Sequence, residues 1–129
     1  MNKIILITAS IFGLLAIVLG AFASHGLKEL ISAESLQTFE TGVRYQMYHA
    51  IVLLFIGITT YFNKRTKQTL YYLIVIGILF FSGSIYGLAT NVMSGFDFRS
   101  IGLITPIGGF ILIVSWGMML IKFFKMKAD

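Results

Sequence analysis

IILITASIFGLLAIVLGAFA, from Ile4 to Ala23, is a run of 20 residues in which only Thr8 and Ser10 are polar. An α-helix rises about 1.5 Å per residue, so the run reaches about 30 Å, the thickness of a bilayer's hydrocarbon core. Each hydroxyl can bond back to a carbonyl one turn earlier, which avoids an orphaned donor in lipid. A secretory signal peptide is the competing reading, since Lys3 gives a basic start and Ala21-Phe22-Ala23 imitates a small-x-small cleavage site. The run is longer than the roughly 7–15 residues of a signal core, and further apolar stretches follow it, so a retained spanning helix over 4–24 is expected.

The same pattern recurs from Val43 to Phe62, from Leu70 to Thr90 and from Ile104 to Phe124. The chain therefore reads as a single all-α membrane domain, an integral four-helix bundle with spans over 4–24, 43–62, 70–90 and 104–124. Composition agrees: of 129 residues, 57% are hydrophobic and 12% charged, with a mean hydropathy of +0.90. Soluble domains carry about 25% charged residues, so a soluble enzyme or a disordered tail is excluded. The absence of cysteine removes disulfides, thiolate zinc sites and iron–sulfur clusters. A net charge of +5 could suggest nucleic acid, but the Lys and Arg residues sit at the ends of apolar runs, not among aromatics on a polar face. The expected partner is the lipid bilayer, joined by a membrane protein or a second copy of the chain, and no nucleic acid.

His25 to Gly42 is the only sizeable polar segment. Leu27, Leu30, Ile31, Leu36 and Phe39 recur at near-helical spacing with Lys28, Glu29, Glu34, Gln37 and Glu40 between them, which predicts an amphipathic connection along the membrane surface. Ser32 is placed to cap a helical turn through Ala33 and Glu34. Basic residues in short loops favour the cytoplasmic side. Seven of the ten Lys and Arg, namely Lys3, Lys64, Arg65, Lys67, Lys122, Lys125 and Lys127, share one side of a four-span chain. Both termini are therefore expected in the cytoplasm, with Lys28, Arg44 and Arg99 toward the other face.

Helices in lipid associate through small residues and interhelical hydrogen bonds. Ala9 with Gly13, and Ala16 with Gly20, repeat at four-residue spacing on the first span, and Gly83-Ser84-Ile85-Tyr86-Gly87 gives the third a G-x-x-x-G. Gly83→Leu is accordingly expected to destabilise the bundle. Pro106, the only proline, marks the start of the fourth span with Thr105 as its expected cap, and Gly108 and Gly109 leave room for a neighbour.

Polar groups gather in the half of the bundle away from the termini: His25, then Arg44, Tyr45, Gln46 and His49, then Ser82, Ser84 and Tyr86, and finally Thr105. Ionisable groups within a span point to function by default, and these residues form the candidate binding cluster. Arg44 can instead snorkel, or meet lipid phosphate or Glu40. His25 and His49 are the minimum set for haem ligation, yet no spacing signature accompanies them, and no acid or cysteine within the spans completes a zinc or di-iron set. No metal and no cofactor is expected. Ser24 beside His25 lacks an orienting acid, so no catalytic residues are assigned and the chain reads as non-enzymatic.

Four strings, Gly20-Ala21-Phe22-Ala23-Ser24-His25-Gly26-Leu27, Val43-Arg44-Tyr45-Gln46 with His49-Ala50, Phe81-Ser82-Gly83-Ser84 with Tyr86, and Thr105-Pro106-Ile107-Gly108-Gly109 with Trp116, occur in this order. Together they resemble a family of small bacterial inner-membrane proteins of unknown function that has a eukaryotic small transmembrane relative. Ala23-Ser24 stands where that family often has Gly-Ala. The resemblance implies a four-span membrane protein with no established activity. Two functions follow as expectations: an accessory or scaffolding protein that binds lipid or a membrane partner through the polar cluster, or a small transporter or channel for an anionic or neutral solute, with Arg44 as the anion contact.

Overall fold

A computed structural model describes residues 1–95, 97, 99 and 102–127. Of the turn expected between Asn91 and Gly102, residues Phe96, Phe98, Ser100 and Ile101 lie outside the described residues. Four helices follow one another: α1 (Asn2–His25), α2 (Ala33–Ile58), α3 (Lys64–Ala89) and α4 (Ile104–Phe124). Short 3₁₀ turns at Leu27–Glu29 and Asn91–Met93 follow α1 and α3.

The first and last helices fall where the long apolar runs put them. The middle two begin earlier than expected, and the surface connection is not a separate helix. Ser32 Oγ accepts from the Ser35 N–H at 3.1 Å, capping α2 at Ala33, so Glu34 to Gly42 form its opening turns rather than a strip along the membrane. Likewise Asn63 Oδ1 accepts from the Thr66 N–H at 2.8 Å, which makes Lys64 to Gln68 the first turn of α3 and not a loop. A side-chain acceptor placed on a free N–H satisfies one of the open donors that every helix start presents, and it decides both boundaries. At α4 the opposite holds: Leu103 occupies the cap position with no side-chain bond, and Thr105 is already inside the helix. Pro106 is tolerated there because the first turn has no partner for its missing N–H.

Side-chain neighbours rise in number on one helix as they fall on the next. Gly57 faces Leu6, Ala50 faces Gly13 and Val43 faces Gly20, while Gly42 faces Tyr86 and Gly108 faces Phe80 and Phe81. Adjacent helices are therefore antiparallel, and both termini lie at one end, the basic end, opposite the polar end. The extensive packing is between α1 and α2, α2 and α3, and α3 and α4. This places α2 and α3 at the centre with α1 and α4 on the flanks.

Toward the basic end, Ile5, Leu53, Ile56, Leu70 and Ile74 are fully buried. At the polar end Ala23, Leu27, Phe39 and Ala89 form a second cluster, with Leu27 closing the bundle from the 3₁₀ turn. Large apolar side chains such as Leu14, Ile17, Phe110 and Ile113 face outward. Such a surface matches lipid rather than water. α1, α3 and α4 are long and apolar enough to cross a membrane. α2, with 26 residues as long as α3, differs in carrying Arg44, Gln46 and His49 near its middle.

Close approach of the helices rests on glycines that the pattern of small residues only partly revealed. A Cβ on Gly57 or Gly77 would stand 2.6 Å from Leu6 Cδ2 or Leu112 Cδ2, and one on Gly42 would stand 2.7 Å from the Tyr86 ring. Gly108 meets backbone instead: a Cβ would lie 2.8 Å from the Phe80 carbonyl carbon and closer still to the Phe81 nitrogen. At Gly13, Gly20 and Gly109 a Cβ would make ordinary contacts, with neighbours 3.8, 3.6 and 3.4 Å away. Gly87 is buried, but Gly83 is exposed with nothing within 4 Å, so the G-x-x-x-G on α3 is not a packing face over its whole length. Gly83→Leu should therefore leave the melting temperature in detergent unchanged, because an exposed substitution away from any contact stays within about 0.5 kcal/mol. A large drop would mean that this face is covered.

Candidate functional site

The polar half of the bundle is built around two side chains of α2. Gln46 is 5% exposed and His49 4%. One helical turn apart, they point to different neighbours. The Gln46 amide nitrogen donates to the Phe12 carbonyl of α1 at 2.8 Å, and its Oε1 accepts from the Tyr86 hydroxyl of α3 at 2.7 Å. A single side chain thus joins three helices, and both of its ends are occupied.

His49 is saturated in the same way. Its Nδ1 lies 2.7 Å from the Tyr45 carbonyl, an oxygen that can only accept, so Nδ1 carries the proton. Its Nε2 accepts from the Trp116 indole N–H of α4 at 3.1 Å. Both ring nitrogens are engaged, which fixes one neutral tautomer and leaves no lone pair for a metal. His25 is exposed at the end of α1, its Nδ1 donating to the Ala21 carbonyl at 2.8 Å, so the geometry does not assemble a haem or metal site from the two histidines. Among the described residues no group of three His, Asp or Glu side chains could hold a metal ion.

The hydroxyls complete the network. Ser82 is 1% exposed and donates to the Gly42 carbonyl of α2 at 2.8 Å, across the point where the missing Cβ of Gly42 lets α3 approach. Ser84 and Thr105 bond to each other, joining α3 to α4, which is the task Thr105 performs instead of capping. Nearer the basic end Thr8 and Tyr71 hydroxyls meet at 2.9 Å, linking α1 to α3. Among the described residues no buried side-chain nitrogen or oxygen lacks a partner. In lipid an unmatched polar group is expensive, and interhelical bonds of this kind hold bundles together.

The candidate cluster therefore divides. Gln46, His49, Ser82, Ser84, Tyr86 and Thr105 are brought together and bonded within the bundle. Arg44 and His25 are exposed and are not part of that network. The Arg44 guanidinium donates to Thr41 Oγ1 at 3.1 Å, not to Glu40. Tyr45 and Tyr48 are 40% and 51% exposed, with ring centroids 5.6 Å apart, and Tyr45 also leans on Phe81. Beside them is a cavity of about 310 Å³ against Phe81, Leu112, Ile113 and Trp116, mainly apolar in lining. Arg99 donates to Asp97 Oδ1 at 3.0 Å in the nearby turn, and that hydrogen bond holds the Asp97 carboxyl below its ordinary value. Being exposed to solvent, the pair contributes little to stability.

Phe12, Gly42, Tyr71 and Trp116 serve the network without having been singled out for it. Two are backbone carbonyls, which leave no mark in a sequence. The Trp116 indole is different: a Trp N–H inside a span needs an acceptor, and His49 is the one histidine at that depth.

The chain is similar to proteins found across bacteria. A family model described as "Protein of unknown function (DUF423)" matches residues 19–109. A UPF0382 membrane protein of Staphylococcus saprophyticus is 41% identical over 123 residues, covering 95% of this chain and 98% of the relative. The UPF0382 membrane protein YwdK of Bacillus subtilis is 38% identical over 125 residues, covering 95% and 98%. The UPF0382 inner membrane protein YgdD of Escherichia coli is 30% identical over 129 residues, covering 98% and 93%. No solved structure matches.

Proposed function

Because the chain belongs to this DUF423 family of membrane proteins, whose function is unknown, we propose that it is a non-enzymatic accessory or scaffolding protein of the cell membrane. It docks lipid or a membrane partner through the exposed face of Arg44, Tyr45 and Tyr48. One observation carries this reading: the inward polar groups are consumed by one another, whereas this cation and two tyrosines remain exposed on the same helix. An exposed guanidinium beside tyrosines at the end of a span suits an anionic headgroup or an acidic partner surface. Transport of an anion past Arg44 would need that side chain inside a polar path, and its exposure outside the hydrogen-bonded network argues for docking instead.

All four helices cross the bilayer in this reading, with both termini in the cytoplasm. Supporting it are the antiparallel packing of α2 between α1 and α3 and the seven basic residues at the terminal end. The inner-membrane location named for the Escherichia coli relative agrees with it.

Native mass spectrometry of the protein, extracted in mild detergent from its own membrane, tests the docking face. The intact particle should carry a lipid or partner mass that the Arg44→Ala, Tyr48→Ala variant has lost, at equal thermal stability. Identical particles in both would remove the docking role from this face.

A further inference from the structure

At the basic end the bundle holds a second concentration of charge that the polar network does not use. Lys67 is 6% exposed, although lysine is almost never buried without an opposite charge. Its ammonium donates to Asn2 Oδ1 at 3.1 Å, a neutral amide, and among the described residues no carboxylate lies within ion-pairing distance of it. Lys67 lines a cleft of about 420 Å³ together with Lys3, Lys64, Asn2 and Phe62. Among the described residues no acid is in that lining.

The backbone adds to the imbalance. α1 starts at Asn2 and α3 at Lys64, so two helix N-termini, each the positive end of its dipole, open at this cleft. Acidic side chains stabilise such ends, yet neither helix has one in its first turn, and lysines stand there instead. Loop lysines that set orientation need only be present in water; they do not explain a buried Lys67. Among the described residues no acid balances this group.

We infer that the cleft between the starts of α1 and α3 binds a phosphate-bearing anion, the headgroup of an anionic phospholipid, through Lys67, Lys64 and Lys3. Phosphate suits the site because it accepts from several ammonium groups at once, and helix starts favour it. A membrane-spanning bundle brings the cleft to headgroup depth, where such phosphates are concentrated, so the inference rests on the reading that the helices cross the bilayer. It does not depend on the Arg44 face at the opposite end.

The test uses the full chain in detergent, with thermal unfolding and native mass spectrometry as readouts and phosphatidylglycerol, phosphatidylcholine and inorganic phosphate as probes. Phosphatidylglycerol should raise the melting temperature and remain bound in the spectrum, while phosphatidylcholine and inorganic phosphate at equal concentration should not. The Lys3→Gln, Lys64→Gln variant, altered only at exposed positions, should bind phosphatidylglycerol roughly tenfold or more weakly, as expected from about 1 kcal/mol per lysine. Lys67→Gln should lose it further, provided the variant still unfolds cooperatively. Removing Lys125 and Lys127 from the tail of the same end should leave binding nearly intact. Equal losses in the tail variant would reduce the effect to general attraction and overturn the site, and an equal shift with inorganic phosphate would overturn the headgroup assignment.

Discussion

Gly108→Ala should lower the stability of the bundle by about 2 kcal/mol or more, read as a shift of the unfolding midpoint in a detergent titration. Two effects oppose each other at this position. Alanine is the better helix former by about 0.8–1.0 kcal/mol, which favours the variant. Against that, the new Cβ would meet the Phe80 carbonyl carbon at 2.8 Å and the Phe81 nitrogen closer still, and backbone cannot rotate away as a side chain can. Overpacking of this kind costs about 1–3 kcal/mol and more where the neighbour is rigid, so the steric effect wins. The adjacent Gly109→Ala is the control, because its nearest contact is the Phe81 ring at 3.4 Å. It should be neutral or slightly stabilising. Equal effects at both positions would show that α3 and α4 do not approach through Gly108.

Gln46→Leu should destabilise by about 1–3 kcal/mol in the same assay. The substitution keeps apolar bulk but leaves the Tyr86 hydroxyl without its acceptor and the Phe12 carbonyl without its extra donor. Interhelical bonds in membrane bundles average about 0.6 kcal/mol and reach about 1.7, so two bonds and one stranded hydroxyl account for the range. A ligand-binding glutamine would behave differently. Its removal would spare stability in the unliganded protein and change only what the protein binds.

Much of this architecture is legible in the chain. Ile104 to Phe124 is predominantly apolar and begins and ends where the sequence suggests, and Ser32 announces the start of α2 through its cap. What the pattern could not separate was a surface helix leading into a span from the opening turns of the span itself. Both present apolar residues at helical spacing with acids between them, and only the continuity of α2 through Gly42 decides. For the cluster, the residue types and their depth were readable, but their pairing was not. Gln46 and Tyr86 are 40 positions apart, and nothing in either neighbourhood names the other. Glycines show the same boundary: Gly42, Gly57 and Gly77 matter because of what lies across the interface, whereas Gly83, in a motif known for packing, faces open space. Lys67 stood among loop charges until the helix start at Lys64 turned it inward.

These placements give the two ends of the bundle different work. The polar end joins its helices with hydrogen bonds and leaves Arg44, Tyr45 and Tyr48 outside, while the basic end keeps a lysine buried with no counter-charge among the described residues. A site that must bind something retains unmatched groups, and a lock does not. By that criterion the interior residues around Gln46 and His49 are structural.

The central claim, that the polar half is a hydrogen-bonded lock, is tested most directly by a double-mutant cycle between Gln46→Leu and Tyr86→Phe, using unfolding free energies in one detergent. The account predicts a coupling of about 0.6–1.7 kcal/mol, the range of direct interhelical bonds, so that the double variant loses less than the sum of the singles. Strict additivity would contradict it, since the two side chains would then stabilise the bundle independently and the bond between them would not be what holds α2 to α3.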